Sequence, residues 1–294
     1  MMSTPTPIKF GVHTFIWKRE FQGQEAFIFE QAKSWGFSGV EISTHSFDQI
    51  DPAMIRGYRE DYGLDITMCT SMPQGLSLTT IDGNIRRESI EFIKKAIAFA
   101  QACGITKLSG PLIHPVGYLT GFALQAIERD LLLDALKEVA DSLSATEIKL
   151  AIEPLNRFQG YALNTVEQGL ELLQAIASPQ IGLLLDLFHM NIEEKDILSA
   201  FQLAGDRCFH IHACACDRGT PGTDSFPWTR WFEVLQAINY QDWIVIESFN
   251  FHDPELVAMA KVWRSLAPSS AYIAQEGLKF LTQTYNSLSH LEPI

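Results

Sequence analysis

Short apolar runs alternate along the whole chain with longer stretches of helical period, and this alternation limits the folds open to it. The runs are Ile8–Val12, Gly39–Ile42, Leu64–Cys69, Lys107–Gly110, Ile148–Glu153, Gly182–Asp186, Cys208–His212 and Trp243–Glu247. Apolar residues on both sides of a strand suit a parallel sheet covered on both faces. Helices are expected near Gln24–Trp35, Ile85–Cys103, Asp196–Ala204, Trp228–Ile238 and Pro254–Trp263. Ile127, Leu131, Ala135, Val139 and Leu143 recur at four-residue steps as one apolar stripe, and Thr165 with Gln168 forms a capping box ahead of Leu170, Leu173 and Ile176.

Eight strand-then-helix units in about 265 residues match the size of a closed (β/α)8 barrel, the TIM barrel of the α/β class, which takes about 250 residues. An open doubly wound sheet would need a phosphate-binding glycine turn or a topological switch point, and neither GxGxxG nor GxxxxGK[ST] occurs. The expectation is one barrel domain over residues 1–294. An additional C-terminal helix, Ser269 to Ser287, would lie on the barrel's outside or against a partner. An apolar fraction of 47% in 294 residues suffices for one large core.

In such a barrel, active sites gather at the C-terminal ends of the strands, so the last residue of each strand is where chemistry is sought. Strands five to eight end in Glu153, Asp186, His212 and Glu247. Three carboxylates and an imidazole converging there would repel one another unless a divalent cation sat among them. Oxygen-rich ligation with one nitrogen suits Mn²⁺, Mg²⁺ or Co²⁺ better than structural zinc. Each residue also has a bland reading: Glu153 as a rim salt bridge, Asp186 as a helix N-cap, His212 as a satisfied core histidine, Glu247 as a cap.

Four segments carry a resemblance. IEPLNRF (Ile152 to Phe158), DLFHMN (Asp186 to Asn191), HIHACACDRGTPG (His210 to Gly222) and IESFNF (Ile246 to Phe251) resemble the signature segments of the D-tagatose 3-epimerase / D-psicose 3-epimerase family. That family is a branch of the xylose-isomerase-like sugar isomerases and epimerases. Fainter echoes lie in GVHTFIW (Gly11 to Trp17) and WRSLAPS (Trp263 to Ser269). The resemblance implies a divalent metal, Mn²⁺ ahead of Co²⁺ or Mg²⁺, held by Glu153, Asp186, His212 and Glu247. His189 and Arg218 match residues that hydrogen-bond the sugar. The implied reaction is epimerisation at C3 of a ketose through a metal-stabilised enediolate, with Glu153 and Glu247 as the two bases on opposite faces of the sugar. In the family, the sixth residue beyond the first glutamate is usually another glutamate, placed against the O1 end of the substrate. Here it is Gln159, which keeps an acceptor oxygen but loses the charge.

Several residues carry open readings. His13 at the end of strand one points to the same rim and would either touch substrate or serve as a structural histidine. Glu41 could bind a hydroxyl or pair with a neighbouring cation. Cys214 and Cys216 follow His212, but a CxC without a second soft pair is a weak zinc signal. Trp17, Phe249 and Phe251 could form an apolar wall for a sugar or belong to the core. Arg157 and Arg218 are the candidate phosphate partners. The loop Ser248 to Asp253 offers neither a glycine pair nor a lysine, so an unphosphorylated sugar is favoured.

A net charge of −13 opposes a nucleic-acid partner. No run is long enough to span a bilayer, the N-terminus MMSTPTPIKF lacks a secretory pattern, and the five cysteines show no CxxC pairing. The expected protein is cytoplasmic and free of membrane, and the resemblance implies a homo-oligomer, dimer or tetramer. Two further functions stay open: an aldose–ketose isomerase or inosose-type enzyme on the same metal site, and a sugar-binding barrel that has lost catalysis.

Overall fold

In the computed structural model, which describes residues 8–288, eight parallel strands close into a barrel in sequence order. They are β1 (Lys9–His13), β2 (Gly39–Ser43), β3 (Asp65–Cys69), β4 (Lys107–Gly110), β5 (Lys149–Ile152), β6 (Ile181–Asp186), β7 (Cys208–Ala213) and β8 (Trp243–Ile246). Closure is made by β1 against β8, with Phe10 opposite Ile244 and Val12 opposite Ile246. Among the described residues, no helix is long and apolar enough to cross a membrane.

The helices are α1 (Ala26–Trp35), α2 (Pro52–Tyr62), α3 (Gly83–Cys103), α4 (Ala126–Leu143), α5 (Val166–Ile176), α6 (Leu187–Glu193), α7 (Ile197–Ala204), α8 (Trp228–Ala237), α9 (Pro254–Ala260) and α10 (Ser270–Leu288). Helix α2 has start and stop signals the apolar pattern alone does not reveal. Asp51 caps Ala53 N–H, Pro52 takes the first turn and Gly63 ends the helix in the left-handed conformation. The Thr165–Gln168 capping box is present at the start of α5.

Two expectations shift. The stripe on α4 does not begin at Ile127, which is 57% exposed; the buried face runs through Leu132, Ala135, Leu136, Val139 and Leu143. Strict four-residue steps drift by about 40° each around a helix of 3.6 residues per turn, so such a stripe turns away from the sheet. The helix expected over Pro254–Trp263 stops at Ala260, where Lys261 adopts a left-handed cap, and Trp263 is left exposed. This short helix packs Leu256 and Ala260 beside Phe249, near the rim. Covering β8 falls instead to α10, whose Gly277 lies so near Ile246 that an added Cβ would meet its Cδ1 at 3.0 Å.

One irregularity aims the interior. Between β6 and β7 the register slips, so that Leu183 faces Cys208 while Leu184 faces His210, and Phe209 is the extra residue. The bulge sends the Phe209 ring onto Ala151 and Leu184 inside the barrel. At the end of β4, Gly110 holds φ at +131°, and a Cβ there would fall 2.1 Å from Thr70 O. Its carbonyl accepts Glu153 N–H at 3.2 Å. Gly110→Ala is therefore expected to destabilise the protein by about 3 kcal/mol, read as a lower urea midpoint with unchanged slope.

Candidate metal and active site

Strand ends place the chemistry. Asp186 is the last residue of β6, and Glu153 and Glu247 are the first residues beyond β5 and β8. His212 is the penultimate residue of β7. All four are buried, Glu153 and Glu247 retaining 6% and 8% exposure at the wall of a central cavity. His189, Arg218 and Gln159 share the cavity wall with the two glutamates.

Asp186 divides its two oxygens. Oδ1 accepts the Phe188 N–H at 2.7 Å and caps α6, whereas Oδ2 is buried with no hydrogen-bond partner. His212 divides its ring in the same manner. Nε2 is 2.7 Å from Glu41 Oε2, while Nδ1 is unpartnered and 3.5 Å from Glu247 Oε1. One ligand atom each from Glu153, Asp186 and His212 can be chosen so that all lie within 4.8 Å of one another. Buried acceptors without donors are costly, and a divalent cation among hard oxygens and one imidazole would satisfy them.

The electrostatics agree. Burial raises the Glu153 carboxyl well above its ordinary range, and Asp186 and Glu247 beside it add to the rise. Burial raises Asp186 as well, against the pull of His189. Burial works against a charged His212, but Glu247 and Glu41 outweigh it and lift the ring to about 10. A cluster of this kind holds protons when it holds no cation.

Around it stands a polar wall. His189 Nδ1 accepts the backbone N–H of Asn156 at 3.0 Å, so the ring proton sits on Nε2, which faces Glu153 Oε1 at 3.4 Å. Burial keeps this ring neutral, its pKa lowered to about 3. Arg218 adopts a left-handed backbone with φ of 69° and lays its guanidinium between the rings of Phe188 and Phe249, at 4.1 and 4.8 Å. Its Nη2 is 3.4 Å from Gln159 Oε1, which Asn156 Nδ2 also approaches at 3.3 Å. Gln159 is thus buried at the cavity wall.

The chain matches the xylose isomerase-like TIM barrel family over residues 29–284. It belongs to that family. A probable ketose 3-epimerase of Synechocystis sp. is 61% identical over 287 residues, covering 98% of this chain and 100% of the relative. A D-psicose 3-epimerase of Enterocloster bolteae is 29% identical, covering 89% of each chain. The crystal structure of a D-allulose 3-epimerase from Methylomonas sp. in complex with D-allulose superposes with a TM-score of 0.88 at 28% identity, over 97% of this chain and 99% of that one.

Within this xylose isomerase-like barrel, not every candidate reaches the cavity. His13 is fully buried behind it, its ring 5.7 Å from that of His212, and its Nδ1 accepts Phe15 N–H to cap the turn Thr14–Ile16. Glu41 stands two residues before the end of β2 at Ser43, and its carboxylate sits below the rim with no exposure, too deep to meet a substrate hydroxyl. Burial pushes the thiols of Cys214 and Cys216 up, against a role as thiolate ligands. Phe249 lines the cavity, together with Phe15 and Met259, which their sequence context does not single out. His210 was also hidden, although the period-two HxH of a buried strand places it on the same face as His212, 2.9 Å from Glu41.

Proposed function

We propose that this protein is a divalent-metal-dependent ketose 3-epimerase acting on a small, unphosphorylated sugar. The observation that carries the reading is the convergence of Glu153, Asp186, His212 and Glu247 at one cavity, with two of the carboxylates on its wall. Its kinship with enzymes named ketose and psicose 3-epimerases supports the same chemistry. Glu153, Asp186, His212 and Glu247 would hold the ion, Mn²⁺ suiting this donor set, with Co²⁺ or Mg²⁺ as substitutes. Once bound, the ion would supply Lewis-acid stabilisation of the charge that develops on the sugar oxygens.

The remaining work falls to the chain. The C3 proton of a ketose is acidic because it lies alpha to the C2 carbonyl. Glu153 or Glu247, as carboxylate, takes that proton and leaves an enediolate. The other glutamate, as acid, returns a proton to the opposite face of C3. His189 Nε2–H and the Arg218 guanidinium are donors for sugar oxygens, and Phe15 and Phe249 exclude water from the wall. Arg157, by contrast, is exposed and held by both oxygens of Glu193 at 2.9 and 3.0 Å, away from any phosphate duty here. The charge of Arg218 acts on the buried carboxyls of Glu153 and Asp186 beside it, which supports a neutral sugar.

A panel of ketoses incubated with Mn²⁺-loaded protein in D2O and read by NMR tests the proposal. Deuterium at C3 accompanied by the C3 epimer is the expected result. Deuterium at C1 or C2 would make the protein an aldose–ketose isomerase, and binding without exchange would make it a sugar-binding barrel.

A further inference from the structure

Glu41 lies on β2 beneath the cavity with no exposure. The hydroxyls of Ser109 and Thr67 donate to its Oε1 at 3.0 and 3.3 Å. His210 Nε2 stands 2.9 Å from the same oxygen, though without hydrogen-bond alignment. The other oxygen, Oε2, is 2.7 Å from His212 Nε2. An ionised carboxylate only accepts, so a contact of that length places the ring proton of His212 on Nε2. In the neutral ring that a cation requires, the lone pair is then on Nδ1, the buried and unpartnered nitrogen that faces Glu247.

We propose that Glu41 is a positioning residue for the metal: by accepting Nε2–H it fixes the tautomer and ring plane of His212, so that Nδ1 is the nitrogen offered to the ion. This rests on the metal reading of the site. The barrel register supports the arrangement, because Glu41 pairs with His13 on β1 and with Thr67 on β3, which leaves its carboxylate inside the barrel across from β7. No substrate contact is open to so deep a residue, so its influence passes through His212. A carboxylate behind a ligating histidine orients the ring and raises its basicity. Breaking such a link typically costs about 10- to 100-fold in metal affinity.

The test pairs calorimetry with NMR. Metal-free wild type and Glu41→Leu, which has no acceptor, are titrated with Mn²⁺, and ¹⁵N-histidine wild type loaded with diamagnetic Zn²⁺ is examined for the site of the His212 proton. The expected results are binding about 10- to 100-fold weaker in Glu41→Leu and a low-field proton on Nε2 of wild-type His212. Equal Mn²⁺ affinity in the two proteins overturns the inference, as does a proton on Nδ1 or none on Nε2. The NMR arm needs only wild-type protein, so a variant that fails to fold does not shield the idea. Wild type that takes up no Mn²⁺ would instead overturn the metal reading beneath it.

Discussion

Glu247→Gln and Glu153→Gln are each expected to lower the rate of epimerisation by about 10³-fold, within the range a single acid–base group contributes. Glutamine keeps the size of the side chain and one acceptor oxygen, so the barrel should fold, but its amide neither takes nor returns a proton at C3. The two losses should differ in kind. If the glutamates serve opposite faces, each variant keeps solvent exchange at C3 of one epimer and loses it for the other, with no epimer formed from either. Deuterium incorporation measured separately from each member of an epimer pair reads this directly. Full epimerase activity in either variant would remove that residue from the mechanism. The same exchange pattern in both variants would mean that one base serves both faces.

Metal removal is the second large effect. Stripping the protein with a chelator is expected to abolish turnover, and adding Mn²⁺ back to restore it. The sign of the pH dependence follows from the raised carboxyls of Glu153 and Asp186. A carboxyl whose pKa is raised in the folded state stabilises the fold fully below its unfolded value. That stabilisation is lost as pH rises through the folded value. Metal-free protein should therefore lose stability as pH climbs above the ordinary carboxylate range. Protons and the ion compete for the same oxygens, so the stabilisation given by Mn²⁺ should grow over that interval. A metal concentration 100-fold above Kd stabilises by about 2.7 kcal/mol. Melting curves at pH 5.5 and 8, with and without Mn²⁺, measure the difference, and a larger metal-induced rise at pH 5.5 would contradict it.

Much of this was legible in the sequence because barrel strands buried on both faces read as unbroken apolar runs, and because a rim residue is simply the one after such a run. Glu153, Asp186, His212 and Glu247 could be located by that rule, and the structure brings them together. Depth was not legible. Glu41 also sits in an apolar run, Gly39–Ile42, yet how far below the rim it lies depends on the stagger between strands, which no local pattern records. The Phe209 bulge escaped for the same reason, since an unpaired residue shows only against its neighbour strand. Helix α9 ended early because packing on Phe249 and the left-handed Lys261, not apolar spacing, set its length.

The split duty of Asp186 restricts what evolution could put there. Oδ1 holds the first turn of α6, the helix that delivers His189, while Oδ2 has no hydrogen-bond partner and is the oxygen left for the proposed ion. Asparagine would keep the turn and discard the charge. Glutamate would keep the charge, but its longer arm is a poor fit to a cap built for a short side chain. If the proposed ion is bound here, Gln159 and the aromatic wall can change without touching its ligands, but substitution at Asp186 would disturb both the ion and the helix carrying His189 in one step.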